Sequence, residues 1–282
     1  MNGNQPTQDK KKSAPADFTE DQLSRYARHI LLPEVGGKGQ ARLQGASVLV
    51  IGAGGLGSPV LLYLAAAGVG RIGIIDDDAV DLSNLQRQII HATPDIGRPK
   101  TDSAREALAA LNPDVRVEAH HKRLTAENAI DIIAGYDLVA DGSDNFATRY
   151  LVNDACHLEG KPLISAAILR FDAQITTFKS YLGDGHPCYR CIFPEPPREG
   201  LVPSCAEAGV FGAVAGVAGT LQATEIIKEL LGIGDGLSGR LMLYDALGAT
   251  FQTIDVKADP ACPLCGESPR WHDLAHHREG ET

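Results

Sequence analysis

The stretch SVLVIGAGGLG, at residues 47–57, decides the fold of this chain. Its first part, Ser47–Ile51, is mostly apolar and predicts a buried strand, and residues 59–68 after the stretch predict a helix. In such a strand–loop–helix unit the first glycine makes the turn, the second lets the backbone approach a phosphate, and the third lets the helix pack on the sheet. The stretch therefore predicts a nucleotide site whose glycines are Gly52, Gly54, Gly55 and Gly57.

Polar side chains follow the next predicted strand, residues 72–75. Asp76 ends that strand and is placed to accept hydrogen bonds from ribose hydroxyls. A plain dinucleotide site has no need for the cations and amides that come next, whereas arginine and lysine bind phosphate oxygens well. The pattern indicates that phosphates are transferred or split here. The candidate nucleotide contacts of this segment are Asp76, Asp78, Ser83, Asn84, Gln86, Arg87 and Lys100.

A later strand, residues 137–140, is followed by Asp144 and Asn145. Ligands of open α/β sheets bind at the carboxyl ends of the strands, and a carboxylate beside a triphosphate is a natural Mg²⁺ ligand. We therefore assign Asp144 to Mg²⁺ and Asn145 to the nucleotide site. The alternatives are a surface ion pair for Arg87 and a helix N-cap for Asp144.

The order of predicted elements indicates an α/β protein with a Rossmann-like, mostly parallel sheet and helices on both faces. The strands predicted at 173–178 and 240–245 continue it as an antiparallel C-terminal half, and residues 209–231 predict a long helix between them. We expect a disordered tail at 1–17 and one domain at 18–268, with halves at about 45–170 and 171–268. Residues 269–282, with three histidines, are expected to be a solvated tail.

Four of the six cysteines form two CxxC pairs, Cys188/Cys191 and Cys262/Cys265. Two such pairs supply the four thiolates of a tetrahedral structural Zn²⁺ site. Disulfides and a redox CxxC are the alternatives. The chain shows no signal peptide, which favours a reducing, cytoplasmic location and disfavours disulfides. A redox CxxC is expected at a strand-to-helix turn, which neither pair resembles.

The two remaining cysteines differ in setting. Cys156 lies in a predicted helix and is expected in the core. Cys205 follows the proline-rich segment 194–203, which reads as a mobile loop. A thiol there could attack an activated carboxylate or carry sulfur, or it could be a small buried residue at a helix start.

Taken together, these motifs resemble the E1-like activating enzymes of the ThiF, MoeB and HesA type. The resemblance covers about residues 18–268, with the motifs in family order. Beyond the glycine loop and the CxxC pairs, it rests on RYARHI at 25–30, SNLQRQ at 83–88, GRPK at 97–100, DGSDN at 141–145, CAEAG at 205–209 and GTLQA at 219–223.

The resemblance implies an E1-like adenylation domain, an adenylyltransferase that uses ATP, Mg²⁺ and structural Zn²⁺. Its substrate would be the C-terminal Gly-Gly carboxylate of a ubiquitin-like sulfur-carrier protein (MoaD- or ThiS-like), activated ahead of sulfur transfer in molybdopterin, thiamin or related cofactor synthesis. It also implies a homodimer, in which Arg28 reaches the ATP of the neighbouring subunit. Arg28 could instead be a solvated helix arginine. The chain shows no rhodanese-like domain, so we expect a separate sulfur donor protein.

Composition narrows the other classes of function. The net charge of −10 argues against non-specific nucleic-acid binding, and no apolar run is long enough to span a membrane. Three alternatives stay open: an NAD-dependent oxidoreductase, a non-catalytic scaffold of the same family, and an RNA- or peptide-modifying relative. An NAD-dependent oxidoreductase does not need Asn84, Arg87, Lys100 or the CxxC pairs. A non-catalytic scaffold would be expected to have lost some of the charged motif residues.

Overall fold

The computed structural model describes residues 18–198 and 208–280. Within these residues one mixed sheet runs through the molecule. Its strands are β1 (Ser47–Ile51), β2 (Arg71–Ile75), β3 (Arg116–His120), β4 (Leu138–Asp141), β5 (Leu163–Leu169), β6 (Asp172–Phe178), β7 (Arg240–Asp245) and β8 (Thr250–Asp255). They lie side by side in the order β3-β2-β1-β4-β5-β6-β7-β8.

The first five strands are parallel, and the last three pairings, from β5 to β8, are antiparallel. β1 is central to the parallel half because it pairs with β2 on one side and β4 on the other. The chain thus changes direction across the sheet at β1. In open α/β sheets such a reversal leaves a crevice at the carboxyl ends of the strands.

Helices cover both faces of the sheet. They are α1 (Glu20–Ile30), α2 (Gly36–Gly45), α3 (Gly57–Ala67), α4 (Lys100–Leu111), α5 (Ala129–Ala134), α6 (Phe146–Leu158), α7 (Tyr189–Ile192) and α8 (Gly212–Leu231). Short 3₁₀ segments lie at Leu82–Asn84, Thr93–Asp95, Ser180–Leu182 and Ala275–Gly280. No helix of the described ranges is both long and apolar enough to cross a bilayer.

The alternation of β1 side chains divides the core in two. Val48 and Val50 pack with residues of α3, α4 and α8, whereas Leu49 and Ile51 pack with residues of α5 and α6. All four are buried, because a strand covered on both faces exposes neither set of side chains. The predicted fold class, with helices on both faces and an antiparallel continuation, is confirmed.

The helix ends follow from local sequence. Thr19 caps α1 in a capping box: its side chain accepts from the Gln22 N–H, and the Gln22 side chain accepts from the Thr19 N–H. α3 ends at Gly68, whose φ of 79° is in the left-handed region that glycine adopts without strain. α3 and α8 pack against each other over the parallel strands, so the helix of the glycine loop is held from both sides.

Candidate functional site

A cavity of about 320 Å³ opens at the carboxyl ends of β1, β2 and β4. This volume lies at the lower end of the roughly 300–1,000 Å³ that small-molecule sites occupy. Sequence-predicted residues that line it are Gly52, Gly54, Gly55, Asp76, Asp78, Arg87, Lys100, Asp144 and Asn145. The structure therefore brings together groups that are up to 93 positions apart in the chain.

The glycine loop forms the floor of this cavity. Gly52 has a φ of 87°, and a Cβ at Gly57 would lie 1.9 Å from the carbonyl oxygen of Gly52, so the turn closes only with glycine at position 57. No side chain caps the start of α3, whose N-cap residue is Leu56. The Ser58 N–H donates to the Gly54 carbonyl oxygen at 2.9 Å and Pro59 has no N–H, so the Gly57 N–H and the positive end of the α3 dipole remain for an anion.

Asp76 is held in place by the loop that it faces. Its carboxylate accepts from the Ala53 N–H at 2.8 Å and from the Asp78 N–H at 2.9 Å. Burial raises the pKa of this carboxyl, although Lys100 and the two backbone N–H groups act in the opposite direction. The carboxylate lies at the end of β2, where an acidic group can bind ribose hydroxyls.

Lys100 supplies a buried positive charge at the cavity wall. Its Nζ lies 2.6 Å from Oδ2 of Asp78, and the lysine side chain is only 6% exposed whereas that of Asp78 is 67% exposed. Lys100 is also the first residue of α4. A buried ammonium costs free energy unless an anion pairs with it, and Asp78 supplies that anion here.

Arg87 lies over the glycine loop. Its Nη1 donates to the Ser83 carbonyl oxygen at 3.1 Å, and a Cβ at Gly55 would be 3.5 Å from its Cγ. Ser83, Asn84 and Gln86 were predicted as nucleotide contacts, but they are not among the residues that line the cavity. The carbonyl oxygen of Gln86 instead lies against Gly212, where an added Cβ would be 2.3 Å from that oxygen. Gln86 therefore packs against the start of α8.

The end of β4 brings unpaired polar atoms to the same cavity. Asp144 is exposed there, and Asn145 caps α6 by accepting from the Thr148 N–H at 2.9 Å. Among the described residues, Oγ of Ser143 and Nε of Arg149 are buried without a hydrogen-bond partner, and both residues line the cavity. Buried donors without partners indicate a site built for a polar ligand.

Several lining residues were missed by the sequence reasoning. Gln88 is buried and its Oε1 has no partner within the described chain, although it stands in the quoted segment 83–88. Lys122 and Arg123 follow β3 and add two exposed cations. The rule that ligands bind at the carboxyl ends of parallel strands could have found both of them.

Arg28, Cys205 and Cys156 remain to be placed. Arg28 is exposed on α1 and does not line the cavity of its own chain. Cys205 lies outside the described residues. A reactive thiol and a small buried residue at a helix start therefore both stay predictions for it. Cys156 is buried in α6, as expected for a core residue.

A second cluster unites the two CxxC pairs. The sulfur atoms of Cys188 and Cys191 are 3.8 Å apart, those of Cys188 and Cys262 3.6 Å, and those of Cys191 and Cys265 3.4 Å. A disulfide needs about 2.05 Å, whereas four sulfurs around one tetrahedral zinc ion lie about 3.8 Å apart. The four thiols, all free, therefore have the spacing of a Cys₄ metal site.

The segment after Cys265 also packs against the body of the protein. Asp154, fully buried in α6, accepts from Arg190 at 2.7 Å and from Nε2 of both His276 and His277 at 2.8 Å. The His276 ring stacks on Trp271 with centroids 4.2 Å apart. The expectation of a solvated tail is wrong for these two histidines, because a buried carboxylate 122 and 123 positions away binds them.

The fold is a doubly wound α/β sheet with a polar cavity at the carboxyl ends of its parallel strands. A family model described as the ThiF family matches residues 26–264. The chain belongs to the ThiF family, and the family resemblance inferred from its motifs is confirmed.

Relatives and solved structures agree with this assignment. The chain is 55% identical over 262 residues to a Thermus thermophilus protein named sulfur carrier protein adenylyltransferase, covering 92% of this chain and 97% of that one. It is 52% identical over 246 residues to the SAMP-activating enzyme E1 of Haloferax volcanii, covering 87% and 90%. The crystal structure of E. coli MccB with ATP has a TM-score of 0.74 at 22% identity over 86% of this chain and 74% of that one, a likeness of fold.

Proposed function

We propose that the protein adenylates the C-terminal Gly-Gly carboxylate of a ubiquitin-like sulfur-carrier protein. The observation that carries this proposal is the convergence of Lys100, Arg87 and the open start of α3 on one cavity, in a chain of the ThiF family. The named activity of the Thermus thermophilus relative supports the substrate class. Because the reaction consumes ATP, we place the enzyme in the cytoplasm.

The chemistry fits this set of side chains. A carboxylate oxygen of the carrier attacks the α-phosphorus, the bond to the oxygen that bridges to the β-phosphate breaks, and pyrophosphate leaves. No general base is needed, since a C-terminal carboxyl is already ionised at pH 7. The protein has to orient the reactants and stabilise negative charge on the phosphates. We assign the phosphates to the glycine loop, Arg87 and Lys100, and the ribose to Asp76.

The metal fits the same end of the sheet. Asp144 is exposed at the cavity, where a carboxylate and phosphate oxygens together offer the hard oxygen ligands that Mg²⁺ prefers. When bound there, Mg²⁺ would neutralise charge on the phosphates. The unpaired donors of Ser143 and Arg149 lie at the same strand end and would bind phosphate oxygens directly.

Arg28 fits the proposal only as a residue of a second subunit. It is exposed on α1 and absent from the lining of the cavity in its own chain. We therefore propose a homodimer in which Arg28 of each subunit completes the ATP site of the other. A separate protein would donate sulfur after the adenylate has formed.

The test of the proposed function is ATP–pyrophosphate exchange with Mg²⁺. Exchange is expected with one carrier that ends in Gly-Gly and is expected to stop when the last glycine of that carrier is removed, because the carboxylate then falls short of the α-phosphate. ATP binding without exchange for any carrier would contradict the proposal. Binding of NAD in place of ATP would favour the oxidoreductase.

We further propose that the Cys₄ cluster holds a structural Zn²⁺ ion. A closed set of four thiolates leaves no position for substrate, so the metal joins α7 to the C-terminal segment and takes no part in adenylation. The cluster packs with Leu264 and Trp271, which shield it from water.

Replacing Cys262 by serine is expected to lower the zinc content from about one ion per chain to a small fraction, because a tetrahedral site loses a thiolate. Thermal stability should fall as well, since metal binding contributes to folding. Zinc can be measured by elemental analysis of the purified protein. The matched control is Cys156→Ala, a buried cysteine outside the cluster, which should keep its zinc. Unchanged zinc content in Cys262→Ser would show that the cluster is not the metal site.

A further inference from the structure

His91 lies beneath the glycine loop and outside the lining of the cavity. It is 7% exposed. Its Nε2 is 2.9 Å from the carbonyl oxygen of Ala53, in the loop, and its Nδ1 is 2.8 Å from Oγ of Ser103, in α4. No local pattern predicts this contact, because position 91 follows a short apolar pair rather than a strand end.

The partners of the ring fix its tautomer. A carbonyl oxygen only accepts hydrogen bonds, so Nε2 carries the proton that it donates to Ala53. In a neutral ring Nδ1 is then an acceptor, and the Ser103 hydroxyl donates to it. Burial lowers the pKa of His91 and so favours the neutral ring.

The hydrogen bond from His91 gives the Ala53 carbonyl oxygen a partner. The Ala53 N–H already donates to Asp76 at 2.8 Å, so both backbone polar groups of this residue have partners. The carbonyl of Ala53 and the N–H of Gly54 belong to one trans peptide and point in opposite directions. With the carbonyl held down toward His91, the Gly54 N–H is turned to the opposite side, and Gly54 lines the cavity.

We propose that His91 is a positioning residue: its Nε2–H holds the Ala53 carbonyl so that the Gly54 N–H faces the triphosphate. This inference rests on the proposed function for the identity of the ligand. Ser103 lies one turn after Lys100 on α4, so the same imidazole also ties the loop to the helix that carries the buried cation. Donors fixed before the ligand arrives need no rearrangement during the reaction.

The test compares His91→Leu with His91→Gln. Leucine removes the donor, whereas the glutamine amide reaches about as far as imidazole Nε2 and can donate to the Ala53 carbonyl. His91→Leu is expected to weaken ATP binding, measured by calorimetry with Mg²⁺, by about ten- to a hundredfold, the value of a hydrogen bond to a charged group. His91→Gln should stay within about threefold of the unmodified protein, and the adenylation rate should follow the same order.

The matched control is His157→Leu. His157 forms the same kind of pair, with Nδ1 2.8 Å from Oγ of Ser180, but it lies outside the cavity lining. Its loss should leave ATP affinity unchanged even if the melting temperature falls. If His91→Leu does not fold, His91→Asn replaces it, because the shorter amide cannot reach Ala53.

Two results would overturn the inference: ATP affinity of folded His91→Leu within twofold of the unmodified protein, or glutamine as weak as leucine. Failure of the proposed function looks different. The unmodified protein would then bind ATP but show no exchange with any carrier, and the binding series would still decide the role of His91. Absence of ATP binding in the unmodified protein would overturn both.

Discussion

Replacing Lys100 by methionine is expected to lower kcat/KM for adenylation by about a hundred- to a thousandfold, the usual effect of removing one group that stabilises developing charge. The lysine is 6% exposed, so in the proposed reaction its charge would act on the phosphates with little screening by water. Methionine keeps the apolar stem and removes only the ammonium. The rate can be measured by pyrophosphate exchange with a Gly-Gly carrier.

The control for this experiment is Lys38→Met, an exposed lysine in α2 away from the cavity. It should keep full activity. Lys100→Met should remain folded with its zinc bound, because the change leaves the Cys₄ cluster untouched. A folded Lys100→Met with an exchange rate near that of the unmodified protein would remove Lys100 from the mechanism.

Replacing Asp154 by asparagine is expected to lower the free energy of unfolding by about 3–5 kcal/mol, the cost of leaving a buried charge without its partner. The charge left behind is Arg190, which is 7% exposed and also lies 4.2 Å from the Trp271 ring centroid. Denaturant titration followed by tryptophan fluorescence would measure the loss, since Trp271 is the one tryptophan of the chain.

The pairing of Asp154 with Arg190 also makes the free energy of unfolding depend on pH. Burial acts to raise the pKa of Asp154, but hydrogen bonds from His276, His277 and Arg190 outweigh it and lower that pKa well below the usual range. The stabilisation is therefore fully present above the unfolded value of about 3.9 and is lost as the pH falls toward the folded value. Asp144→Asn, an exposed change, should leave stability within about 0.5 kcal/mol. Equal stability of the Asp154 variant and the Asp144 variant would show that the buried pair contributes nothing.

The parallel half and its cavity could be predicted from sequence because local signals carry them. The turn between β1 and α3 requires glycines at set positions, which a short stretch of sequence reveals. The side chains that follow parallel strands must meet at one edge of the sheet. Asp76, Lys100 and Asp144 are predicted at this edge, and all three line the cavity. The spacing of the CxxC pairs likewise predicted the cysteine cluster, since metal-ligand spacing is local within each pair.

The remaining features depend on contacts that no local pattern records. No sequence pattern around Asp154 indicates that it binds histidines more than 120 positions later. None around His91 indicates a hydrogen bond to the Ala53 carbonyl. The segment 83–86 shows the reverse case: its polar residues are predicted nucleotide contacts, and the contact of Gln86 with the start of α8 is not predicted by its sequence. Tertiary packing decides these long-range contacts, and no local sequence pattern predicts them.

The cysteine cluster also sets an order of events during synthesis. All five parallel strands have been made once residue 169 leaves the ribosome, so the nucleotide half can begin to form early. The four sulfurs cannot meet until Cys265 has followed. Through that interval β6 is held by its pairing with β5 and by its packing against α8, and β7 and β8 extend the sheet from β6. The cysteine cluster can therefore close only after the parallel half has been made, 96 residues beyond the end of β5.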